Sequence, residues 1–169
     1  MSSTSRLFLI EGPSGSGKTT LASQLQQHLS THLGTTVAVL HLDDLYPGWN
    51  GLAQGSALAA ELIEQHAAGQ ALSWQRYDWV AGMPGEWQEL APGHPLIVEG
   101  CGALNAVTAR HSDIRIWLDA PADLRQQRAF SRGDENYEKY WTQWDEQYSE
   151  YVVAHRPRAF ANMTRVATR

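Results

Sequence analysis

Apolar residues along the chain occur either as short continuous runs or at the three- and four-residue spacing of a helix. The short runs, rich in Val, Ile and Leu, are typical of buried parallel strands and cover residues 7–10, 36–42, 95–100 and 114–119. Helical spacing follows the first run, where Leu21, Leu25 and Leu29 share one face and Gly34 ends the helix, and recurs over residues 57–68 and 137–155. Strands that alternate with helices predict an α/β fold with a parallel sheet.

The remaining segments are less regular. Residues 72–79 are predicted as a strand that runs into a loop, because turn-forming residues fill positions 82–87. Aromatic residues in this stretch suggest either a flat ligand slot or the packing of a loop onto the core. Residues 164–167 are predicted as a last short strand that closes the sheet, and the aromatic helix at 137–155 is predicted to dock on the core without a chemical role. We expect residues 1–169 to form a single domain.

The most specific motif follows the first predicted strand. The segment Gly12-Pro13-Ser14-Gly15-Ser16-Gly17-Lys18-Thr19-Thr20 matches the phosphate-binding pattern G-x-x-x-x-G-K-[ST] without a mismatch. Glycines let the backbone wrap a phosphate with its N–H groups pointing inward, and the N-terminus of the next helix adds positive partial charge. We expect Lys18 to face solvent until a nucleotide arrives and then to reach the β- and γ-phosphates. Thr19 is expected to ligate Mg²⁺, and Thr20 to bind a phosphate further from the γ position.

Composition and charge narrow the choice of partners. The 169 residues carry a net charge of −5 without a cluster of Lys and Arg, so the chain has no electrostatic footprint for nucleic acid or an anionic membrane. No apolar run approaches the roughly 18 residues of a membrane-spanning helix. The single cysteine, Cys101, is expected to be a small buried residue, and residues 1–5 are too short and polar for a signal peptide. We expect a cytoplasmic protein that acts on a small molecule, either as a monomer or as a homo-oligomer.

Acidic residues end two of the predicted strands. Asp43 and Asp44 follow the second strand and Glu99 ends the third, at the edge where open α/β sheets bind ligands. Beside a phosphate-binding loop, a carboxylate can accept a proton from an acceptor hydroxyl or supply an oxygen ligand to Mg²⁺. Helix capping and a solvated turn are the alternatives. The candidate Mg²⁺ ligands are therefore Thr19, Asp43 and Glu99, and the choice of Asp43 or Asp44 as the base stays open.

Three arginines follow the fourth strand on a helix that opens at residues 120–123. Arg125, Arg128 and Arg132 are spaced i, i+3 and i+7, which places them within about a 60° arc of one helix face. Guanidinium groups gathered on one face favour an anion between them, such as a triphosphate, although a solvated charged face is the alternative. Gly133-Asp134 is predicted to break this helix and let the segment close as a lid.

With these residues placed, the chain resembles the uridine kinase-like family of P-loop kinases from about residue 6 to residue 155. Four pieces carry the resemblance in order: GPSGSGKTT, LDDLYPGW, YDWV, and LIVEG followed by LDAPADLRQQRAFSR. The resemblance implies a P-loop kinase three-layer sandwich, with a parallel sheet of about five strands, helices on both faces and a small helical lid near residues 125–136. It also implies ATP and Mg²⁺ as cofactors.

The resemblance further implies roles for particular residues. The acid at Asp43 would activate the acceptor hydroxyl, the aromatics at Tyr46 and Tyr77 would line the acceptor pocket, and Glu99 would join the magnesium shell. The candidate catalytic residues are Lys18, Asp43, Arg128 and Arg132, with Arg125 binding the nucleotide. The candidate substrate-binding residues are Asp43, Asp44, Tyr46, Trp49, Tyr77, Asp78 and Trp79. The loop at 79–87 departs from the nucleoside-kinase pattern, because it lacks the histidine expected shortly after Tyr77-Asp78.

Three functions fit these observations. The leading hypothesis is an ATP-dependent kinase for a small hydroxyl-bearing metabolite, with a nucleoside as the first candidate. The second is an NTP-hydrolysing switch or motor, against which the chain has no N-K-x-D guanine signature and no Asp-Glu pair at the end of its third strand. The third is a non-catalytic nucleotide sensor. The product separates them: a phosphorylated metabolite, free phosphate, or neither.

Overall fold

The computed structural model of the protein describes residues 6–132 and 135–167. The elements in chain order are β1 (Leu7–Glu11), α1 (Lys18–Leu33), β2 (Ala38–His41), α2 (Leu52–Ala67), β3 (Leu72–Asp78), β4 (Met83–Leu90), β5 (Leu96–Glu99), β6 (Ile114–Asp119), α3 (Ala122–Phe130), α4 (Glu135–His155), α5 (Pro157–Phe160) and β7 (Met163–Val166). Short 3₁₀ helices occupy Leu42–Asp44 and Thr108–His111.

Within the described residues, five parallel strands form the central sheet in the order β2-β5-β1-β6-β7. Side chains of β1 alternate between the two faces of the sheet. Leu7 and Leu9 join the core cluster that contains residues of α2 and α4, whereas Phe8 and Ile10 join the cluster packed against α1. The apolar run of β1 is therefore buried on both sides, as in other parallel sheets. The predicted α/β sandwich with helices on both faces is confirmed.

Two glycines explain the bounds of the first helices. α1 ends at Gly34, which has a φ of 62° and closes the helix as predicted. α2 begins at Leu52, five residues before the predicted start at residue 57, and therefore contains Gly55 in its second turn. A Cβ at Gly55 would lie 2.4 Å from Cδ1 of Tyr46. Glycine at this position lets α2 pack directly on the Tyr46 ring.

A separate two-stranded antiparallel sheet replaces the loop predicted at residues 82–87. β3 pairs with β4, and the register shifts between Gln75 and Tyr77. Pro84 lies opposite Tyr77 next to this irregularity, which is a position where a two-stranded sheet tolerates proline. Trp87 on β4 is 64% exposed, so it does not contribute to a ligand slot. None of the helices in the described part of the chain is both long and apolar enough to span a bilayer.

Candidate active site

The phosphate-binding loop connects β1 to α1 and packs against α3. Gly15 has a φ of 78°, in the left-handed region that favours glycine. A Cβ at Gly15 would lie 2.3 Å from the carbonyl oxygen of Arg125, so glycine also permits the close approach of the loop to α3. The loop closes on itself through a hydrogen bond of 3.2 Å from the Ser16 N–H to the Pro13 carbonyl. Because α1 begins at Lys18, the free N–H groups of its first turn face the loop.

Lys18 is buried beneath the loop, so the expectation that it faces solvent is wrong. The residue is only 8% exposed, and its Nζ donates a hydrogen bond of 3.0 Å to the Pro13 carbonyl. Burial lowers the pKa of Lys18, but the acidic groups of Cys101, Glu99 and Glu11 outweigh burial and raise the pKa above its ordinary value. The ammonium group is therefore charged and held in place before any nucleotide binds.

Thr19 and Glu99, two of the predicted Mg²⁺ ligands, are in direct contact. Thr19 Oγ1 donates to Glu99 Oε1 at 3.0 Å, and His41 Nδ1 lies 2.6 Å from the same oxygen. Burial alone would raise the pKa of Glu99, but the hydrogen bond from His41 and the charge of Lys18 lower it below its usual range. The hydrogen bond to Glu99 in turn raises the pKa of His41. The sequence analysis did not include His41, because a histidine near a strand end matches no motif.

Asp43 and Asp44 point to different parts of the molecule. Asp43 is exposed to solvent and lines the cavity beside Lys18. Asp44 instead forms an ion pair with Arg76, whose Nε lies 3.0 Å from the Asp44 carboxylate. The surrounding protein raises the pKa of Asp43 and the charge of Glu99 adds to the rise, whereas Lys18 opposes it. Of the two acids, Asp43 is the one beside the loop.

The three predicted arginines do not share one role. Arg125 and Arg128 bind the loop backbone, because their Nη1 atoms donate to the carbonyl oxygens of Ser14 at 3.3 Å and Gly15 at 3.4 Å. Arg132 follows the end of α3 and lines the cavity beside the loop. Arg128 also lines the outer groove beside the loop, so both Arg128 and Arg132 lie at the site, while Arg125 supports the loop.

The predicted lid at residues 125–136 contains the end of α3 and the start of α4. Arg132 joins the two helices, because its Nη1 donates to Tyr137 Oη at 3.2 Å and its guanidinium lies 5.5 Å from the centre of the Tyr137 ring. The predicted helix break at Gly133-Asp134 lies outside the described residues. Closure of this segment stays a prediction.

Aromatic side chains enclose a cavity of about 240 Å³ next to the loop, which we call the aromatic cavity. Its aromatic lining consists of Tyr46, Trp49, Trp79, Tyr137, Trp141 and Trp144, and Ser14 and Asp43 complete the lining. Three of these rings belong to α4, to which the sequence analysis assigned no chemistry. That assignment missed the site, because helical periodicity shows which residues share a face but not which cavity the face lines. The volume lies below the roughly 300–1,000 Å³ of common ligand pockets, so the ligand is small.

The aromatic cavity is the first of three that meet along the loop. A loop cavity of about 40 Å³ contains Lys18, Thr19 and Glu99 in its lining, and an outer groove of about 490 Å³ runs past Thr20 toward β7. Ser14 and Asp43 line both the aromatic and the loop cavity, and Gly15, Gly17 and Arg132 line both the loop cavity and the outer groove. The Asp43 carboxylate therefore stands between the aromatic cavity and the loop.

Three predicted substrate-binding residues lie outside the aromatic cavity: Asp44, which pairs with Arg76, and Tyr77 and Asp78. Tyr77 packs its ring against Trp79 at a centroid distance of 5.1 Å. The Asp78 carboxylate accepts hydrogen bonds of 2.9 Å from the N–H groups of Val80 and Ala81. Asp78 thus stabilises the turn of the β3–β4 hairpin, and Tyr77 supports a ring that lines the cavity.

Glu11, at the end of β1, is a buried acid that the sequence analysis missed. It is 0% exposed, and its carboxylate accepts hydrogen bonds of 2.9–3.1 Å from the N–H groups of Gly12, Gly102 and Leu104 and from the hydroxyl of Tyr148. Burial raises the pKa of Glu11 to about 7, although the hydrogen bonds from Leu104 and Gly102 oppose the rise. This carboxylate joins the loop, the segment after β5 and α4 at one point.

The pKa of Glu11 predicts a specific pH dependence of stability. The pKa rises from 4.5 in an ordinary glutamate to about 7 here, so between these values the folded chain holds a proton that the unfolded chain has released. The free energy of unfolding is therefore expected to fall as the pH rises through this window. Urea unfolding of the wild type and of Glu11→Gln at several pH values measures the effect. The variant should lose most of this slope, and equal slopes in both proteins would contradict the prediction.

A glycine loop of this geometry, between a buried parallel strand and the N-terminus of a helix, defines a P-loop nucleotide-binding protein. A family model described as AAA domain matches residues 9–153. The chain belongs to this family of P-loop domains and is similar in sequence to uridine kinases. A curated relative, the uridine kinase of Staphylococcus aureus strain JH9, is 30% identical over 139 residues, which make up 73% of this chain and 66% of the relative. The matched region thus spans slightly less than two thirds of that relative.

Solved structures share the fold. A structure described as a possible uridine kinase from Bacillus stearothermophilus superposes with a TM-score of 0.65 at 23% identity, covering 94% of this chain and 87% of the other. The D-glycerate 3-kinase of Cryptococcus neoformans superposes with a TM-score of 0.53 at 14% identity, covering 87% of this chain and 75% of the other. At these identities the likeness concerns the fold alone.

Proposed function

We propose that the protein transfers the γ-phosphate of ATP to a hydroxyl group of a small metabolite. The observation that carries the proposal is the row formed by the outer groove, the loop cavity and the aromatic cavity. Phosphoryl transfer needs a nucleotide, the transferring phosphate and an acceptor in this order, roughly in line. Relatives named uridine kinase support the same reaction type.

The loop and Lys18 supply the electrostatic part of the reaction. The phosphates of ATP would lie against the N–H groups of the loop and of the first turn of α1. The Lys18 ammonium, already charged and held by the Pro13 carbonyl, would neutralise the charge that develops on the transferring group. Arg132 lies between α3 and α4 in the chain and also lines the loop cavity. It would therefore stabilise the same charge from the side of these two helices.

Asp43 is our candidate for the base. Its carboxylate lines both the aromatic cavity and the loop cavity, so a hydroxyl bound in the first would lie next to a phosphate bound in the second. Asp43 would orient this hydroxyl and accept its proton as the oxygen attacks phosphorus. The new bond joins the acceptor oxygen to the γ-phosphorus, and ADP leaves with the bridging oxygen.

The residues beside the loop also fit a magnesium ion. Mg²⁺ in phosphoryl-transfer sites takes one or two protein oxygens and completes its shell with phosphates and water. The Thr19 hydroxyl and the Glu99 carboxylate, 3.0 Å apart, offer such oxygens, and Asp43 lines the same cavity. Within the described residues, no three His, Cys, Asp or Glu side chains gather closely enough to hold an ion alone. Bound there, Mg²⁺ would neutralise phosphate charge.

Two observations bear on the chemical class of the acceptor. The names of the curated relatives favour a nucleoside, while the missing histidine after Tyr77-Asp78 weakens uridine and cytidine in particular. The aromatic walls of the acceptor cavity would also exclude water, which favours transfer to a bound alcohol over hydrolysis.

An ADP-release assay with MgATP tests the proposed function. The acceptor panel contains nucleosides, sugars, hydroxy acids and amino alcohols, with a reaction lacking any acceptor as the control. We expect release of ADP that depends on one acceptor class and a phosphorylated product of matching mass. Phosphate release at the same rate without an acceptor would instead indicate an NTP hydrolase, and no turnover with any acceptor would indicate a nucleotide-binding protein.

Replacement of Arg132 should slow the reaction more than it weakens ATP binding. Arg132→Ala removes a charge that would meet the phosphates mainly in the transition state, so kcat is expected to fall by about 10–10²-fold while KM for ATP changes only a few-fold. Arg110→Ala, an exposed arginine that lines neither the loop cavity nor the outer groove, is the matched control. Steady-state kinetics of both variants test the prediction, and a rise in KM at constant kcat in Arg132→Ala would contradict it.

A further inference from the structure

We infer that the acceptor bound in the aromatic cavity is an organic cation that carries a hydroxyl group. The inference rests on the proposed function, because it names the substrate class of that phosphotransfer.

The cavity lining combines aromatic rings with a carboxylate. Six aromatic rings, Ser14 and the Asp43 carboxylate form this lining, and the face of an aromatic ring is negative. Among the described residues, no Lys, Arg or His lines the cavity. Aromatic faces attract cations and the adjacent Asp43 carboxylate adds to the attraction, whereas an anionic acceptor such as a hydroxy acid would meet repulsion. The lining therefore complements a positive charge.

The angles between the rings favour an enclosed charge over a stacked base. Trp49 meets Trp79 at 62°, Tyr137 at 85° and Trp144 at 89°, with centroid distances of 5.1, 5.4 and 6.2 Å. Walls that meet at such angles surround a ligand from several directions, as cation-binding aromatic cages do. Sandwiching a neutral base requires two parallel rings with a gap between them. The parallel neighbour of Trp49 is Tyr140, which stacks on it at 5.1 Å and leaves no such gap.

The lining also lacks the side chains that read the edges of a neutral base. No Asn, Gln, Arg or His lines the cavity among the described residues. Two polar groups of the aromatic residues are already used, because Tyr46 Oη donates to the Cys101 carbonyl at 2.7 Å and Trp79 Nε1 donates to the Asp43 carbonyl at 2.9 Å. Sites that select a polar ligand place hydrogen-bonding groups against it. A cation without hydrogen-bond donors, held by π faces, does not need them.

Cations of the chain itself already contact this group of rings. The Arg132 guanidinium lies 5.5 Å from the centre of Tyr137, and the Lys139 ammonium lies 4.9 Å from the centre of Tyr140. Neither of these cations lines the aromatic cavity. One ring of the lining, Tyr137, thus already attracts a positive charge, and so does Tyr140, which stacks on the lining ring Trp49.

Binding of matched cation and neutral pairs tests the inference. The first pair is choline and its neutral carbon isostere dimethylbutanol, and the second is hydroxyethylpyridinium and phenylethanol, which cover a compact and a flat shape with a primary hydroxyl. Isothermal titration calorimetry of the full chain with MgADP gives the four dissociation constants. We expect the cation of at least one pair to bind about tenfold or more tightly than its neutral twin. Equal or tighter binding of both neutral twins, or no measurable binding of either cation, would overturn the inference.

A pair of tryptophan variants distinguishes the cavity from other surfaces. Trp141→Leu removes one ring of the lining, whereas Trp87→Leu makes the same change at an exposed position of the β3–β4 hairpin. The cation should bind about tenfold more weakly to Trp141→Leu and unchanged to Trp87→Leu, while the neutral twin changes little in either. Equal losses for cation and neutral twin in Trp141→Leu would show that the ring contributes only shape, and would overturn the inference.

The same ligands separate this inference from the proposed function. If cations bind in the expected order but no acceptor supports ADP release, the inferred cationic ligand is supported and the proposed phosphotransfer is contradicted. If uridine or a hydroxy acid supports rapid ADP release while the cations neither bind nor react, the proposed phosphotransfer is supported and the inferred cationic acceptor is contradicted.

Discussion

Asp43→Asn is expected to lower phosphotransfer by about 10²–10⁴-fold, the usual contribution of a general base. The substitution keeps the size of the side chain but removes the proton acceptor that lies between the aromatic cavity and the loop cavity. MgATP affinity should stay within a few-fold of the wild type, because the loop and Lys18 are untouched. Steady-state kinetics with saturating acceptor, together with nucleotide binding by calorimetry, measure both quantities.

Asp44→Asn is the matched control for this prediction. Asp44 is adjacent in sequence, but its carboxylate pairs with Arg76 at 3.0 Å and does not line either cavity. It should therefore cost little activity, and its main effect should be the loss of a partly exposed ion pair, roughly 0–1 kcal/mol of stability. A reversed ranking of the two variants would reassign the base to Asp44. Full activity in both, and in the double variant, would remove Asp43 from the mechanism.

Lys18→Met is expected to reduce turnover by about 10²–10³-fold, by analogy with other groups that stabilise transition-state charge. Methionine fills most of the buried space but leaves no cation near the γ-phosphate. The variant also removes the positive charge that lies close to Glu11, Glu99 and Asp43, so its unfolding should be followed separately by thermal denaturation. Single-turnover kinetics at a temperature where the variant is folded isolate the chemical effect.

Lys139→Met provides the control, because Lys139 is the other lysine of the chain and is exposed on α4. It should keep wild-type turnover. Wild-type turnover in Lys18→Met would show that the loop does not bind the transferring phosphate through Lys18, and the proposed mechanism would be wrong.

The sequence predicted those parts of the fold whose conformation depends on the residue types within the segment itself. The loop at Gly12–Thr20 has fixed residue types, because each glycine meets a steric demand such as the 2.3 Å approach of Arg125 O to a Cβ at Gly15. The flanking strand and helix follow from apolar runs and helical spacing, and Gly34 ends α1 as expected. The acids at Asp43 and Glu99 lie beside the loop because carboxyl ends of parallel strands meet at one sheet edge.

The parts of the fold that were not predicted depend on contacts between one segment and the next. Gly82, Pro84 and Gly85 indicated a loop, but pairing with β3 outweighs these weak local signals and makes a strand. The helix predicted to start at residue 57 starts at Leu52, and the ring of Tyr46 requires a glycine at position 55 within it. In both cases packing or pairing with a neighbouring segment, and not the residue type alone, determines the conformation.

The site residues that were not predicted from the sequence also depend on packing between segments. Trp141 and Trp144 repeat with a helical period that indicates core packing equally well, and only the docking of α4 over the loop turns them toward the cavity. Glu11 ends a strand and precedes the loop, so its sequence context suggests an exposed turn. Its burial arises because Gly102 and Leu104, in the segment after β5, and Tyr148, on α4, converge on it.

The ring-lined cavity also gives the protein an optical signal of its own. Four of its seven tryptophans, Trp49, Trp79, Trp141 and Trp144, line one cavity, while Trp74 and Trp117 are buried in the core and Trp87 is exposed. Any molecule that enters the cavity changes the polarity around more than half of the indole fluorophores. Intrinsic emission can therefore follow acceptor arrival in real time, without a label, in the same stopped-flow experiment that follows ADP formation.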